Sequence, residues 1–180
     1  QLGNLFEKNE VGVQGIPVNQ LNVQNNTFRE NQFGVAIEGP SQFLITDNLF
    51  EHEDNTKGVG VNLVQTDLTG FGRVLCNVFD DIFVGINNEG DNRVLEFNNN
   101  DFQTRYDVWV TDEGTFVGEL SDQGADFNAR WNYFSTIFQN EQHINTTGNT
   151  ILFDYYYPTP GTGVDPRVDP KCALNDNPIT

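Results

Sequence analysis

The sequence predicts an all-β chain wound as a right-handed parallel β-helix, a solenoid of about six rungs. Two observations carry that prediction. A tripeptide Asn-x-Phe returns six times, at Asn4-Leu5-Phe6, Asn26-Thr27-Phe28, Asn48-Leu49-Phe50, Asn77-Val78-Phe79, Asn100-Asp101-Phe102 and Asn132-Tyr133-Phe134. Successive Phe residues stand 22, 22, 29, 23 and 32 positions apart, so a basal period near 22 carries two insertions. Each tripeptide is also flanked by segments that alternate apolar and polar residues, the mark of strands with one buried face. Strands that recur at a fixed period with the same face inward must stack turn upon turn, and stacking makes equivalent strands parallel.

The elements of one rung follow in order. An entering strand is marked by apolar pairs five and three residues before each Asn: Leu21 and Val23, Phe43 and Ile45, Gly72 and Val74, Leu95 and Phe97, Phe127 and Ala129. The Asn makes a tight corner, where its amide can bond the adjoining rung and its own backbone can take the left-handed conformation. A short strand follows through the Phe, then a polar corner. A third strand carries Val11 and Val13, Val35 and Ile37, Val59 and Val61, Val84 and Ile86, or Val108 and Val110. Asn26, Asn48, Asn77, Asn100 and Asn132 are thus expected to form one ladder, and Phe28, Phe50, Phe79, Phe102 and Phe134 another down the core. At about 4.8 Å per rung the column would be roughly 29 Å long. After Phe134 the pattern fades, although Ile144 and Ile151-Leu152-Phe153 suit a last irregular rung. The β-helix is therefore assigned to residues 1–153, and 154–180, with five of the seven prolines, to a capping tail or linker.

Composition agrees and narrows the function. The chain has 180 residues, 24 of them Asn and only four Ala, with no Met, which leaves a helical bundle without its usual residues. A formal charge of -17 repels nucleic-acid phosphates and anionic lipid, so neither is an expected partner. No apolar run is long enough to insert in a membrane. The opening Gln1-Leu2-Gly3-Asn4 has no signal-peptide character and starts inside a repeat, as a segment of a longer protein would. Two cysteines, Cys76 and Cys172, have no metal-ligand spacing; a disulfide between them needs the tail to fold back along the column.

These repeats resemble the right-handed β-helices of secreted bacterial proteins in the pectate-lyase-like superfamily, over roughly residues 1 to 137. The resemblance implies an extracellular or cell-surface location. It leaves activity open, because such proteins include polysaccharide lyases, glycoside hydrolases, tailspikes and adhesive or structural surface proteins.

Candidate chemistry is sought first at the insertions. Both are expected between the third strand and the next entering strand, and so to emerge from one edge beside Asn87-Asn88-Glu89-Gly90-Asp91-Asn92. That edge would gather Asp67, Glu89, Asp91, Asp112, Glu113 and Asp122 as a ligand-binding cleft, with Glu119 and Asp126 nearby. Calcium is the cofactor such carboxylates would take, Glu89 and Asp91 first, although no established calcium-loop spacing is present. Phe71 and Phe116 in the loops admit a carbohydrate, but an apolar loop residue more often anchors its own loop. A lyase would need a basic residue, for which Arg73, Arg93 and Arg105 are the candidates; pairing with the surplus acids is the simpler reading.

A second cluster follows the Phe column, where Glu7, Arg29, Glu51, Asp80 and Gln103 come next and Lys8, Glu30, His52, Asp81 and Thr104 follow. Alternating charges in the first rungs suit the register, and His52 among carboxylates is a candidate for metal binding or pH sensitivity. Tyr155-Tyr156-Tyr157 suits an aromatic cap. No residues are assigned as catalytic. The expected function is a structural or adhesive module of a large extracellular protein, a rigid spacer or assembly surface joined to further domains and in contact with copies of itself. The alternative is a carbohydrate-active or polysaccharide-binding domain using the acidic edge.

Overall fold

The computed structural model describes residues 3–66, 71–93, 95–112, 118–120, 132–134 and 142–150. Within them, β1 (Leu5–Glu7) and β2 (Val11–Gly15) precede four complete three-sided turns. These turns are β3 (Leu21–Gln24), β4 (Thr27–Arg29) and β5 (Phe33–Glu38); β6 (Phe43–Thr46), β7 (Leu49–Glu51) and β8 (Val59–Val64); β9 (Gly72–Leu75), β10 (Val78–Asp80) and β11 (Val84–Glu89); β12 (Leu95–Asn98), β13 (Asp101–Gln103) and β14 (Tyr106–Thr111). After them come β15 (Tyr133–Phe134) and β16 (Gln142–Thr147). All pairings are parallel, in three sheets: an entry sheet β12-β9-β6-β3, a Phe sheet β1-β4-β7-β10-β13-β15 and a wide sheet β16-β14-β11-β8-β5-β2. The chain is therefore a parallel β-solenoid, as the repeat predicts. Among the described residues the expected count of about six rungs becomes four complete turns, while the Asn-x-Phe tripeptide marks the six described strands of the Phe sheet.

The core is a set of axial columns set by register. Phe6, Phe28, Phe50, Phe79 and Phe102 stack with ring centroids 4.8–5.0 Å apart and planes within 10°, and Phe134 follows Phe102 in backbone register. Val23, Ile45, Val74 and Phe97 line the entry sheet, while Val35, Val61, Ile86 and Val108 line the wide sheet, all buried. Room for the Phe column comes from a column of glycines in the wide sheet. A Cβ on Gly12, Gly34, Gly60 or Gly85 would lie 2.5–2.7 Å from the ring of the next turn's Phe.

The Asn ladder runs from Asn4 to Asn132. Each side-chain Nδ2 donates to the Oδ1 of the next rung's Asn at 3.0–3.2 Å, and each backbone N–H donates to the same oxygen. The amides also reach carbonyls of the preceding rung, Asn48 to Val23, Asn77 to Ile45, Asn100 to Val74 and Asn132 to Phe97. One expectation is corrected here. The left-handed residues of this corner are those just before the ladder Asn, Asn25, Asp47, Cys76 and Asn99, with φ of 55–57°. The ladder residue must instead aim its amide along the axis, and its neighbour makes the bend.

The insertion between Phe50 and Phe79 is also placed differently. Three residues join the Phe strand to the wide strand in the turns before and after, but seven, 52–58, do so in this one, and the third corner grows only from 39–42 to 65–71. The larger share thus emerges at the second corner rather than beside the insertion after Thr111. Interval arithmetic between Phe residues cannot say at which corner extra residues leave the rung.

Candidate functional site

Loop 52–58 builds the more elaborate of the two candidate regions. The Asp54 carboxylate accepts from Thr56 Oγ1 at 2.6 Å and Thr56 N at 3.0 Å, and lies 3.1 Å from Lys57 Nζ. Those donors hold its pKa down at about 2. His52 Nδ1 accepts from the backbone N–H of Asp54 at 3.0 Å, while Nε2 stands 3.5 Å from Glu30 Oε2. The other Glu30 oxygen accepts from Glu53 N at 2.6 Å. His52 and Glu30 are both largely buried by this arrangement. Beside them lies an open groove of about 580 Å³ bordered by Lys8, Glu30, Phe33, His52, Lys57 and Phe83.

The charge column beneath the loop alternates as expected and then fails. Arg29 Nε donates to Glu51 Oε1 at 2.6 Å and its Nη1 lies 3.8 Å from Glu7, which raises the guanidinium pKa. Glu51 then pairs in register with Asp80, where burial first, and next the Asp81 and Glu51 charges, push the carboxyl pKa up. Asp101 is raised as well, chiefly by burial, with Gln103 opposing through a hydrogen bond. His52, Glu30, Glu51, Asp80 and Asp81 share a cavity of about 300 Å³ with Arg29.

The acidic edge is organised by internal pairs. Arg93 clamps Asp91 through Nε at 3.0 Å and Nη2 at 2.8 Å, and reaches Glu119 at 3.8 Å. Glu119 also bridges Asp91 through the backbone, so part of the second insertion returns onto this rung. Glu89 accepts from Asn87 Nδ2 at 2.6 Å, and Asp112 accepts from Asn149 N at 3.1 Å. Asp67, Glu113, Asp122 and Asp126 lie outside the described residues, as do Phe116, Cys172 and the tyrosine run. Among the described residues no group of three or more His, Cys, Asp or Glu is arranged to hold a metal ion. Nor is any helix among them long and apolar enough to cross a membrane.

Arg73 lies 3.3 Å from Glu96, so it and Arg93 are engaged by acids, as their simpler reading holds. Arg105 instead lies over Phe83 and Tyr106, 5.8 and 5.7 Å from the ring centroids. Phe71 is 73% exposed, which corrects its expected role as an anchor for its loop. Cys76 sits half-buried beside the Asn corner and is disulfide-bonded rather than a thiol.

Two features were not singled out from sequence. Thr66 N and Oγ1 donate to Asn92 Oδ1 at 2.9 and 2.6 Å, a buried polar stack at the third corner. On the outer face of the wide sheet, Phe83, Tyr106 and Trp109 make an aromatic cluster, with Tyr106 and Trp109 centroids 4.9 Å apart and Phe83 edge-on to Tyr106 at 5.1 Å. Trp109 lies between Val108 and Val110, both fully buried, so alternation alone would have pointed it outward. No protein-family model, no curated protein and no solved structure matches the chain.

Proposed function

We propose that the chain is a rigid structural or adhesive module of a larger extracellular or cell-surface protein, of the secreted pectate-lyase-like kind its repeats resemble, serving as a spacer and contact surface. The observation that carries this reading is the axial link from Asn4 to Asn132, in which every rung is bonded to the next through a side-chain amide, buried from Asn26 onward, as well as through its strands. Buried and satisfied polar networks of this kind rigidify a structure. The disulfide at Cys76 supports an oxidising compartment. Further domains of the same chain and neighbouring copies are the partners this role requires.

Electron cryo-microscopy of the native assembly tests it. Continuous density from the column into adjoining domains, with copies packed along its flanks, is the expected result. A discrete particle with bare flanks that depolymerises a polysaccharide would overturn it in favour of the enzyme reading.

A further inference from the structure

We infer that the outer face of the wide sheet is a binding track for a neutral polysaccharide, built on Phe83, Tyr106 and Trp109 and on the amide row beside them. This names a ligand class for the adhesive part of the function proposed above and rests on it, although the column can stand without it.

The first observation is the pairing of aromatic rings with aligned polar side chains. Phe83, Tyr106 and Trp109 are each half-buried rather than fully enclosed. In register with Trp109 on the same face stand Asn62, Asn87 and Asn145, one per rung. Asn87 Nδ2 donates to Asn62 Oδ1 at 2.7 Å and to Glu89 Oε1 at 2.6 Å, and Trp109 Nε1 donates to Thr147 Oγ1 at 2.9 Å, so the row is held in place before any ligand arrives. A pyranose presents exactly two kinds of surface, apolar C–H faces that lie on aromatic rings and hydroxyls that pair with planar amides and carboxylates. Rungs about 4.8 Å apart repeat these contacts at close to the rise of one sugar unit in an extended chain.

The second observation is a concavity that adjoins the rings. Phe83 also walls the groove of about 580 Å³ beside loop 52–58, so the cluster continues into a concavity of ligand size. Charge selects among occupants. The track is net acidic, like the chain as a whole: Lys8, Lys57 and Arg105 stand against Glu10, Glu30, Glu38, Asp54 and Glu89. An acidic glycan would meet surplus like charge along it and a neutral chain would not; against a basic peptide, it is the ring faces and the planar amide row that favour a sugar.

The test is calorimetry and affinity electrophoresis of the full, disulfide-intact chain with cellohexaose, mannohexaose and xylohexaose, with polygalacturonate and a lysine-rich peptide as competitors of other chemistry. Saturable binding of a neutral hexasaccharide is expected, weakened tenfold or more by Trp109→Ala and by Asn87→Ala, and unchanged by Phe71→Ala or Arg73→Gln. Circular dichroism and the urea midpoint establish that each variant folds, and Asn87→Ala keeps the test decisive should Trp109→Ala not. Binding by none of the three neutral sugars, preference for polygalacturonate or the peptide, or indifference to both variants would overturn the inference. Such a failure leaves the column reading standing, since that is judged by the map of the native assembly.

Discussion

Gly60 and Phe79 face one another across the solenoid interior so closely that a methyl group on Gly60 would lie 2.5 Å from Cδ1 and Cε1 of the ring and 2.8 Å from the Gly85 carbonyl. The glycine is therefore the complement of the stacked ring one turn on. At an ordinary strand position Gly→Ala gains stability by restricting the unfolded chain. Here Gly60→Ala should cost about 1–3 kcal/mol through overpacking. Combined with Phe79→Leu the two losses should be less than additive, read as urea midpoints in a double-mutant cycle.

Asn77 holds the middle of the amide ladder. Its Nδ2 reaches the Ile45, Leu75 and Asn100 oxygens and its Oδ1 accepts twice from Asn48. Asn77→Ala strands buried donors and acceptors on both neighbouring rungs, an expected loss of about 2–5 kcal/mol in denaturant unfolding. Asn77→Asp should fare little better, since a carboxylate cannot donate to the two carbonyls.

Asn88 points the other way in energy. It occupies a core column of the wide sheet between Leu63 and Val110, fully buried, with neither side-chain atom hydrogen-bonded. Asn88→Leu removes an unpaired amide from an apolar column and should raise stability by about 1–3 kcal/mol, visible as a higher melting temperature. A lower one would mean that the amide has a role this geometry does not reveal.

The Asp80 carboxyl has a raised pKa in the folded chain, so the native state holds its proton to higher pH than the unfolded state does. Native protons then exceed unfolded ones, and stability falls as pH rises from the ordinary carboxylate range through the raised value. Asp80→Asn should stabilise the chain at pH 7, with the advantage shrinking as acid protonates Asp80 in both states. Asp54 works with the opposite sign: its depressed pKa adds stability above the ordinary carboxylate range that is lost as pH falls toward about 2. Urea unfolding of the unaltered chain, Asp80→Asn and Asp54→Asn between pH 3 and pH 7 checks the two signs together, Asp54→Asn being expected to lower stability at pH 7 and to lose that penalty in acid.

Cys76 being disulfide-bonded in a chain with two cysteines, intact-mass analysis without reductant should find no free thiol and a peptide joining Cys76 to Cys172. Reduction should cost about 2–4 kcal/mol, mostly by releasing a long loop in the unfolded chain.

The fold was legible because its determinants are periodic and local. Alternation named the strands, and the recurrence of Phe28, Phe50 and Phe79 could be satisfied only by stacking. The candidate site was less legible for the opposite reason. Residue type alone offers Asp91 as a cation ligand, whereas the Arg93 clamp on its carboxylate and the placing of His52 beside Glu30, a full rung away, come from side-chain geometry.

By itself, then, the sequence determined the parallel solenoid, its two ladders and the acidity that turns nucleic acid away, since these follow from residue type and spacing alone. Only the tertiary structure decided that loop 52–58 leaves at the second corner, that the bend falls on Asn25 and Asp47 rather than on the ladder amides, and that Phe83, Tyr106 and Trp109 meet. Those outcomes depend on register, which brings residues from successive rungs within about 5 Å of one another and which no single repeat encodes.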